Sequence, residues 1–369
     1  MLSRIYIEEA VRHHPTVRTV QKSLPGIPTA VVPDAAKVHE ILSSARDPVG
    51  AAKRVLFLTR NRGSFLKKCP GTKSYMCCGY QILHIGTYCT MDCAYCVLQT
   101  YFHPPVLQYF VNQDRLYQEL DDVIRLERPP FHRIGTGEFT DSLIWEPWTR
   151  LSETLVPYFA QQDKVVLELK TKSTAIQNLR HLQHNRKTIV AWSLNTPSVI
   201  HSEERGTASI KARLKAAAQC EAWGYPLAFH FDPLILYERC EEDYRRLVRG
   251  LFSAVSPRSI VWISLGSFRY MPSLKPIIQK RFRKSKIVYG EFIPGLDGKM
   301  RYFKPLRIEL YRKMAAWIRE LAPDVTLYFC MEDEDVWKQA LGFVPEARGG
   351  VARMLDESAA RHCGLMIDD

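Results

Sequence analysis

With 369 residues, 46% of them hydrophobic and 24% charged, the chain can form one large α/β domain or two smaller ones around a continuous core. No run of about 18 uncharged apolar residues occurs, which excludes a membrane-spanning helix. The first ten residues carry an early acidic pair, Glu8 and Glu9, and no long apolar block, so no secretory signal is expected and the expected address is the cytoplasm. The formal net charge is +12, and its distribution is uneven: between Lys275 and Lys313 twelve Lys/Arg face three acids, Glu291, Asp297 and Glu309. Such a segment suits a polyanionic partner, nucleic acid above all, or else a solvated basic face.

Along the chain there is no internal repeat or low-complexity tract. Residues 1–74 have scattered Pro and Gly and a basic patch at Arg60, Arg62, Lys67 and Lys68, and read as an N-terminal extension of short helices and loops. From about residue 80 the pattern becomes regular. Short apolar runs at Tyr80–Ile85, His132–Thr136, Val165–Leu169, Thr188–Leu194, Leu227–Leu236 and Ile260–Leu265 read as buried strands. Amphipathic stretches at 112–127, 147–161, 173–183, 207–222, 240–254 and 306–321 read as helices. Strand–helix alternation predicts an α/β fold with a parallel sheet, here an open, partial (β/α)6 barrel over residues 75–290. A basic β-hairpin and a C-terminal helical segment follow over 291–369. In such folds function gathers at the C-terminal ends of the strands.

Ten cysteines are many for a chain expected in the cytoplasm, and six of them (Cys69, Cys77, Cys78, Cys89, Cys93, Cys96) fall in one short stretch. Cys220, Cys240, Cys330 and Cys363 are scattered and read as buried small hydrophobes or surface thiols. Cys89, Cys93 and Cys96 have the spacing C-x3-C-x2-C directly after the first strand. Three thiolates so close can ligate three irons of a 4Fe–4S cluster and leave the fourth open. A zinc site would want a fourth ligand at matching spacing, and His84 and His103 keep that alternative open.

This spacing, with Tyr95 just before the last cysteine, resembles the signature of the radical S-adenosylmethionine superfamily. The resemblance implies that the amino and carboxylate groups of S-adenosylmethionine chelate the open iron. It also implies that an electron from a donor such as flavodoxin or ferredoxin cleaves the sulfonium to a 5′-deoxyadenosyl radical. The run Gly135-Thr-Gly-Glu138 resembles the element that receives the methionine amino group, where glycines permit close approach and a carboxylate partners the ammonium. By the same resemblance Lys172, Ser193 and Asn195 are expected to touch the cosubstrate carboxylate and ribose.

Over roughly residues 75–330 the chain is similar to spore photoproduct lyases and related DNA repair photolyases. Tyr80-Gln81, Leu98-Gln99-Thr100, Thr171-Lys172, Ser193-Leu194-Asn195 and Gly224-Tyr-Pro-Leu227 carry this resemblance. Gly295-Leu-Asp-Gly298 reads as a tight turn, and the Lys299, Arg301, Tyr302 and Lys304 that follow resemble the family's DNA-contacting hairpin. The implied substrate is a nucleic acid, DNA above all, with damaged thymine the implied lesion and a monomer the expected form.

Two departures stand out. Where the family has the cysteine that returns hydrogen to the product radical, this chain has Glu138, whose O–H bond is far stronger than a thiol S–H. Where the family has a tyrosine after the third cluster cysteine, it has Val97, although Tyr95 is retained. Tyr95 and Glu138 are therefore the candidate catalytic residues. Cys77 and Cys78 are candidate substitute donors, or else packing groups or further metal ligands. His230 and Asp232 are candidates to face the barrel mouth. Two other functions fit the same residues: a radical enzyme acting on a peptide or small molecule, and a non-catalytic zinc-bearing nucleic-acid-binding protein.

Overall fold

A computed structural model describes residues 2–71, 74–102, 105–126 and 131–365. Its larger sheet has eight strands in the order Leu327–Phe329, Ile260–Ser267, Leu227–Leu234, Thr188–Ser193, Val165–Thr171, His132–Gly135, Gln81–Leu83 and Leu66–Lys68. Every neighbouring pair is parallel except the last. All six expected strands are present in the expected order. A three-residue parallel strand, Leu327–Phe329, extends one edge, and the antiparallel Leu66–Lys68 extends the other.

The central strands are buried along almost their whole length, as continuous β-branched and aromatic runs covered on both faces should be. Helices Ile210–Ala222, Cys240–Ala254 and Lys304–Leu321 supply the cover. Ser209 caps the first through the Ala212 amide, and Glu241, Glu242 and Asp243 sit at the positive end of the second. The expected helix at 173–183 is only a short 3-10 turn at Gln177–Leu179. There Ile176 and Leu179 are drawn into the core while Glu146 holds the Asn178 amide, so tertiary contacts override the periodicity.

The sheet curls until its edges meet. The Met76 amide, in the connection after the Leu66–Lys68 edge strand, donates to the Glu332 carbonyl beyond the opposite edge strand, at 3.2 Å. Register also sorts the inward faces: Ser193, His230, Ser264 and Tyr328 are successive partners across four strands, and all four face one cavity.

The N-terminal residues, read from the sequence as short helices and loops, carry three further strands besides Leu66–Lys68. They form a second sheet ordered Thr29–Val32, Arg4–Glu8, Val55–Thr59, Leu107–Phe110 and Gly86–Thr87. Its last two strands come from beyond residue 74, so this sheet is built from both sides of the cluster loop. A third sheet joins Arg269–Tyr270 to the expected hairpin, Phe292–Pro294 and Met300–Tyr302. Helices Glu334–Leu341 and Gly350–Cys363 form the C-terminal helical segment. Among the described residues no helix is long and apolar enough to cross a membrane.

Candidate active site

One cavity of about 340 Å³ opens at the C-terminal ends of the barrel strands, and Cys89, Cys93 and Cys96 all line it as free thiols. Cys89 and Cys93 are buried and Cys96 is half-buried. After the larger effect of burial, Cys96 raises the thiol pKa of both Cys89 and Cys93, and Cys89 raises that of Cys93, which places the three together. Among the described residues no group of three or more His, Cys, Asp or Glu side chains converges on a point suited to one metal ion. A cubane spreads its ligands over separate irons, so three soft thiolates around one end of a cavity fit it better than a tetrahedral zinc. His84 is not on the cavity wall; it packs edge-on against Phe110 and Phe139, and burial pushes its pKa down to about 4. His103 lies outside the described residues.

The cysteine loop is held by side chains from distant parts of the chain. The buried Lys53 ammonium, from the N-terminal sheet region, donates to the Cys89 carbonyl at 3.1 Å and the Met91 carbonyl at 2.5 Å. The Gln99 amide donates to the carbonyls of Cys93 and Ala94. Arg281 bridges Asp92, Gln99 and Asp47, so one cation of the basic segment is committed inside the protein. The Asp92–Cys93 backbone pairs antiparallel with Glu204–Arg205. Glu204 accepts a short hydrogen bond from the Tyr95 hydroxyl and is paired with the fully buried Arg213. Lys53, Glu204, Arg213 and Arg281 carry no local motif, and sequence reasoning missed them.

The expected cosubstrate residues divide. Gly137, Glu138, Lys172 and Ser193 line the cavity together with Tyr95, whereas Gly135 and Asn195 do not. Asn195 is 1% exposed, and its amide is taken up by Pro233, Thr196 and Tyr244. Gly135 is explained by packing: a Cβ there would overlap the Tyr80 hydroxyl and lie 2.9 Å from the Glu168 carbonyl. A Cβ on Gly137 would lie 2.7 Å from the Lys170 Cβ. Gly135→Ala is expected to cost about 1–3 kcal/mol of stability, as overpacking does. Tyr80→Phe in the same chain should recover part of that loss in urea unfolding, because it removes the clashing oxygen.

Charged pairs line the rest of the wall. Glu138 is paired with Lys170 at 3.2 Å; burial lowers the Lys170 pKa, but the Glu138 and Glu168 carboxylates outweigh it and raise the value. His230 joins Glu168 at 2.7 Å and Ser264 at 2.8 Å, and Arg269 holds Asp232 through both guanidinium nitrogens at 3.2 Å. His230 and Asp232 thus face the barrel mouth while bonding within the barrel. Cys77 and Cys78 also line this wall, and so do Cys69 and Cys330.

The hairpin residues are engaged inside the protein. Arg301 is 1% exposed, pairs with Asp297 at 2.9 Å, donates to the Met331 carbonyl and stacks over Tyr75. Lys299 reaches the same Asp297 carboxylate at 2.8 Å. Burial would raise the Asp297 pKa, but hydrogen bonds from Arg301 and Lys299 bring it down to about 2. Tyr302 is buried, stacks on Phe292, and its hydroxyl accepts from the Leu236 amide. Lys304 pairs with Asp333 and Asp335. The face this region presents outward is apolar instead: Leu296 at the turn is 76% exposed, with Ile293, Phe303 and Tyr289 also exposed.

A curled parallel sheet with a C-x3-C-x2-C loop after its first parallel strand, at the mouth of a cavity walled in part by charged pairs, defines the radical S-adenosylmethionine class of fold. Comparison with known proteins narrows the class. The chain belongs to the spore photoproduct lyase family, whose model matches residues 66–327. It is 29% identical over 209 residues to spore photoproduct lyase of Bacillus subtilis (strain 168), an alignment covering 56% of this chain and 61% of that one. The chain therefore spans about three fifths of the curated relative it matches. A solved cysteine-to-alanine mutant of spore photoproduct lyase superposes with a TM-score of 0.81 at 23% identity, over 89% of this chain and 99% of that one. A double mutant of the lyase with bound AdoMet and dinucleoside spore photoproduct gives 0.77 at 22% identity over the same shares. At these identities the two structures speak to the fold.

Proposed function

We propose that this protein is a radical S-adenosylmethionine enzyme that acts on damaged thymine in DNA, as a member of the spore photoproduct lyase family lacking the family's usual hydrogen donor. The observation that carries this reading is the placement of three free thiols at one end of a cavity whose other walls hold Lys172, Ser193, Gly137 and Glu138. Cys89, Cys93 and Cys96 would hold the 4Fe–4S cluster. When bound, the cluster and S-adenosylmethionine supply a 5′-deoxyadenosyl radical, the agent that abstracts hydrogen.

The chain's own groups have separable tasks. Lys53, Gln99 and Arg281 tie down the backbone of the cysteine loop. Lys172 and Ser193 offer a cation and a hydroxyl for a carboxylate and a ribose. The Glu138–Lys170 pair presents a carboxylate for an ammonium group beside the cavity. Tyr95 is fixed by Glu204 with its ring within 5.8 Å of the Lys172 ammonium. The exposed Lys280, Arg283, Lys284 and Lys286 draw the DNA backbone, and the apolar tip at Ile293 and Leu296 fills space where bases part. Residues 75–290 carry most of the catalytic barrel, and the basic hairpin that opens the 291–369 segment faces the substrate. The protein works in the cytoplasm as a monomer, with flavodoxin or ferredoxin as the electron donor.

The test is anaerobic reconstitution with iron and sulfide, then reduction with S-adenosylmethionine and dinucleoside spore photoproduct. Release of 5′-deoxyadenosine together with thymine dinucleotide is the expected result. If neither forms, the reading fails; 5′-deoxyadenosine without thymine places the substrate elsewhere.

A further inference from the structure

Four thiols outside the C-x3-C-x2-C motif share the cavity: Cys69, Cys77, Cys78 and Cys330. The curl of the sheet gathers them from separate parts of the chain. Cys69 follows the Leu66–Lys68 edge strand, Cys77 and Cys78 precede Gln81–Leu83, and Cys330 follows Leu327–Phe329 at the opposite edge. Backbone bonds fix the seam: Cys69 to Tyr80 at 3.1 Å, Cys330 to Leu265 at 3.1 Å, and Met76 to Glu332 at 3.2 Å. The Cys77 sulfur lies over the turn that leaves Cys69, only 3.1 Å from where a Cβ on Gly71 would sit. Glu138, which the sequence resemblance sets against the family's hydrogen-donating cysteine, is the charged group acting most strongly on Cys69.

Resting on the function proposed above, we propose that Cys69 is the hydrogen-atom donor that ends the reaction and that Cys77 is its redox partner. The substrate radical takes the hydrogen atom of the Cys69 S–H bond, so a C–H bond forms and a thiyl radical remains. The Cys77 thiolate bonds to that thiyl, giving a disulfide radical anion. This anion passes one electron to a one-electron acceptor of the flavin or iron–sulfur class, leaving a Cys69–Cys77 disulfide. Two thiols have then lost one hydrogen atom, one proton and one electron, and a dithiol reductant restores them.

The surroundings keep each sulfur in the form its task needs. Burial, aided by the Glu138 carboxylate, raises the Cys69 pKa and keeps its S–H bond intact. A hydrogen bond from Cys78 draws the Cys77 pKa below the ordinary thiol value, which favours its thiolate. The Glu138 side chain offers only C–H or O–H bonds, which are stronger than a thiol S–H.

The experiment uses the iron-loaded protein with S-adenosylmethionine, reductant and dinucleoside spore photoproduct in deuterated water, where thiol hydrogens exchange with solvent. One deuterium per recovered thymine dinucleotide is expected. Cys69→Ser keeps the shape but not the weak S–H bond, and should lower deuterated product per 5′-deoxyadenosine by roughly tenfold or more. Cys220→Ala, buried elsewhere, serves as the control with the wild-type ratio. A wild-type ratio in Cys69→Ser overturns the proposal. If wild type releases 5′-deoxyadenosine but no thymine, the substrate reading has failed, and the thiol pair is judged alone. Diamide oxidation of the iron-loaded protein followed by differential alkylation should then yield a Cys69–Cys77 cross-linked peptide that is absent from Cys77→Ala. No such peptide from wild type overturns the pairing.

Discussion

Cys93→Ala is expected to abolish 5′-deoxyadenosine release and to strip most of the iron from the reconstituted protein. Cys93 is 7% exposed on the cavity wall, and its backbone is paired with Glu204, which fixes its place in the loop. Two cysteines leave two irons open to solvent, and such a site loses its cluster to chelators and oxygen. Changes outside the ligand set typically cost 10–100-fold in affinity or activity, so loss of a ligand should exceed about 100-fold. Iron and sulfide assays with chromatographic quantitation of 5′-deoxyadenosine check this. Cys363→Ala, a buried thiol in the last helix, is expected to keep wild-type iron. If Cys93→Ala retained stoichiometric iron and cleavage, the cluster assignment would be wrong.

Arg213→Met should have the largest effect on stability. The Arg213 guanidinium has no exposed surface, pairs with a Glu204 that is equally enclosed, and donates to Ser193, Ala208 and Thr207. Burial raises the Glu204 pKa, but Arg213 and then Lys172 outweigh it and hold the group below its ordinary value. Removing one partner of such a pair strands the other, at a cost of about 3–5 kcal/mol. The loss is pH-dependent in a defined direction. Without Arg213 the buried Glu204 carboxyl would favour its protonated form, so its folded-state pKa rises above the unfolded one. The mutant then becomes less stable as pH rises from about 4 towards 7, while wild-type Glu204 contributes stability that is lost only as pH falls below its unfolded pKa. Urea unfolding at several pH values should show a deficit that widens with pH; a constant deficit would argue for lost packing alone.

Much of the barrel was legible because buried parallel strands are long apolar runs, and Val165–Thr171 and Ile260–Ser267 announce themselves in that way. The N-terminal sheet was not, since Arg4–Glu8 and Thr29–Val32 are too short for alternation to outweigh the surrounding Pro and Gly. Leu327–Phe329 has only three residues, and with it the location of Cys330 was hidden. The cluster loop was read from spacing alone, because its three thiols are local in sequence. Its supports are long-range: Lys53, Arg213 and Arg281 look like ordinary surface cations until the fold encloses them. The hairpin shows the reverse limit. A run of Lys and Arg after a tight turn suggests open charges, yet one acid, Asp297, turns Lys299 and Arg301 inward.

The Lys53 ammonium has a consequence for how the chain can be cut. The matched family region starts at residue 66, yet Lys53 grips the carbonyls of Cys89 and Met91 from outside it. The Leu107–Phe110 strand likewise loses one of its two neighbours if Val55–Thr59 is removed. A fragment trimmed to the matched region would expose a sheet edge and free the cysteine loop together. The N-terminal sheet is thus no detachable appendage: the chain behaves as one indivisible unit, in which the shape of the cysteine loop is inherited from residues that bear none of its chemistry.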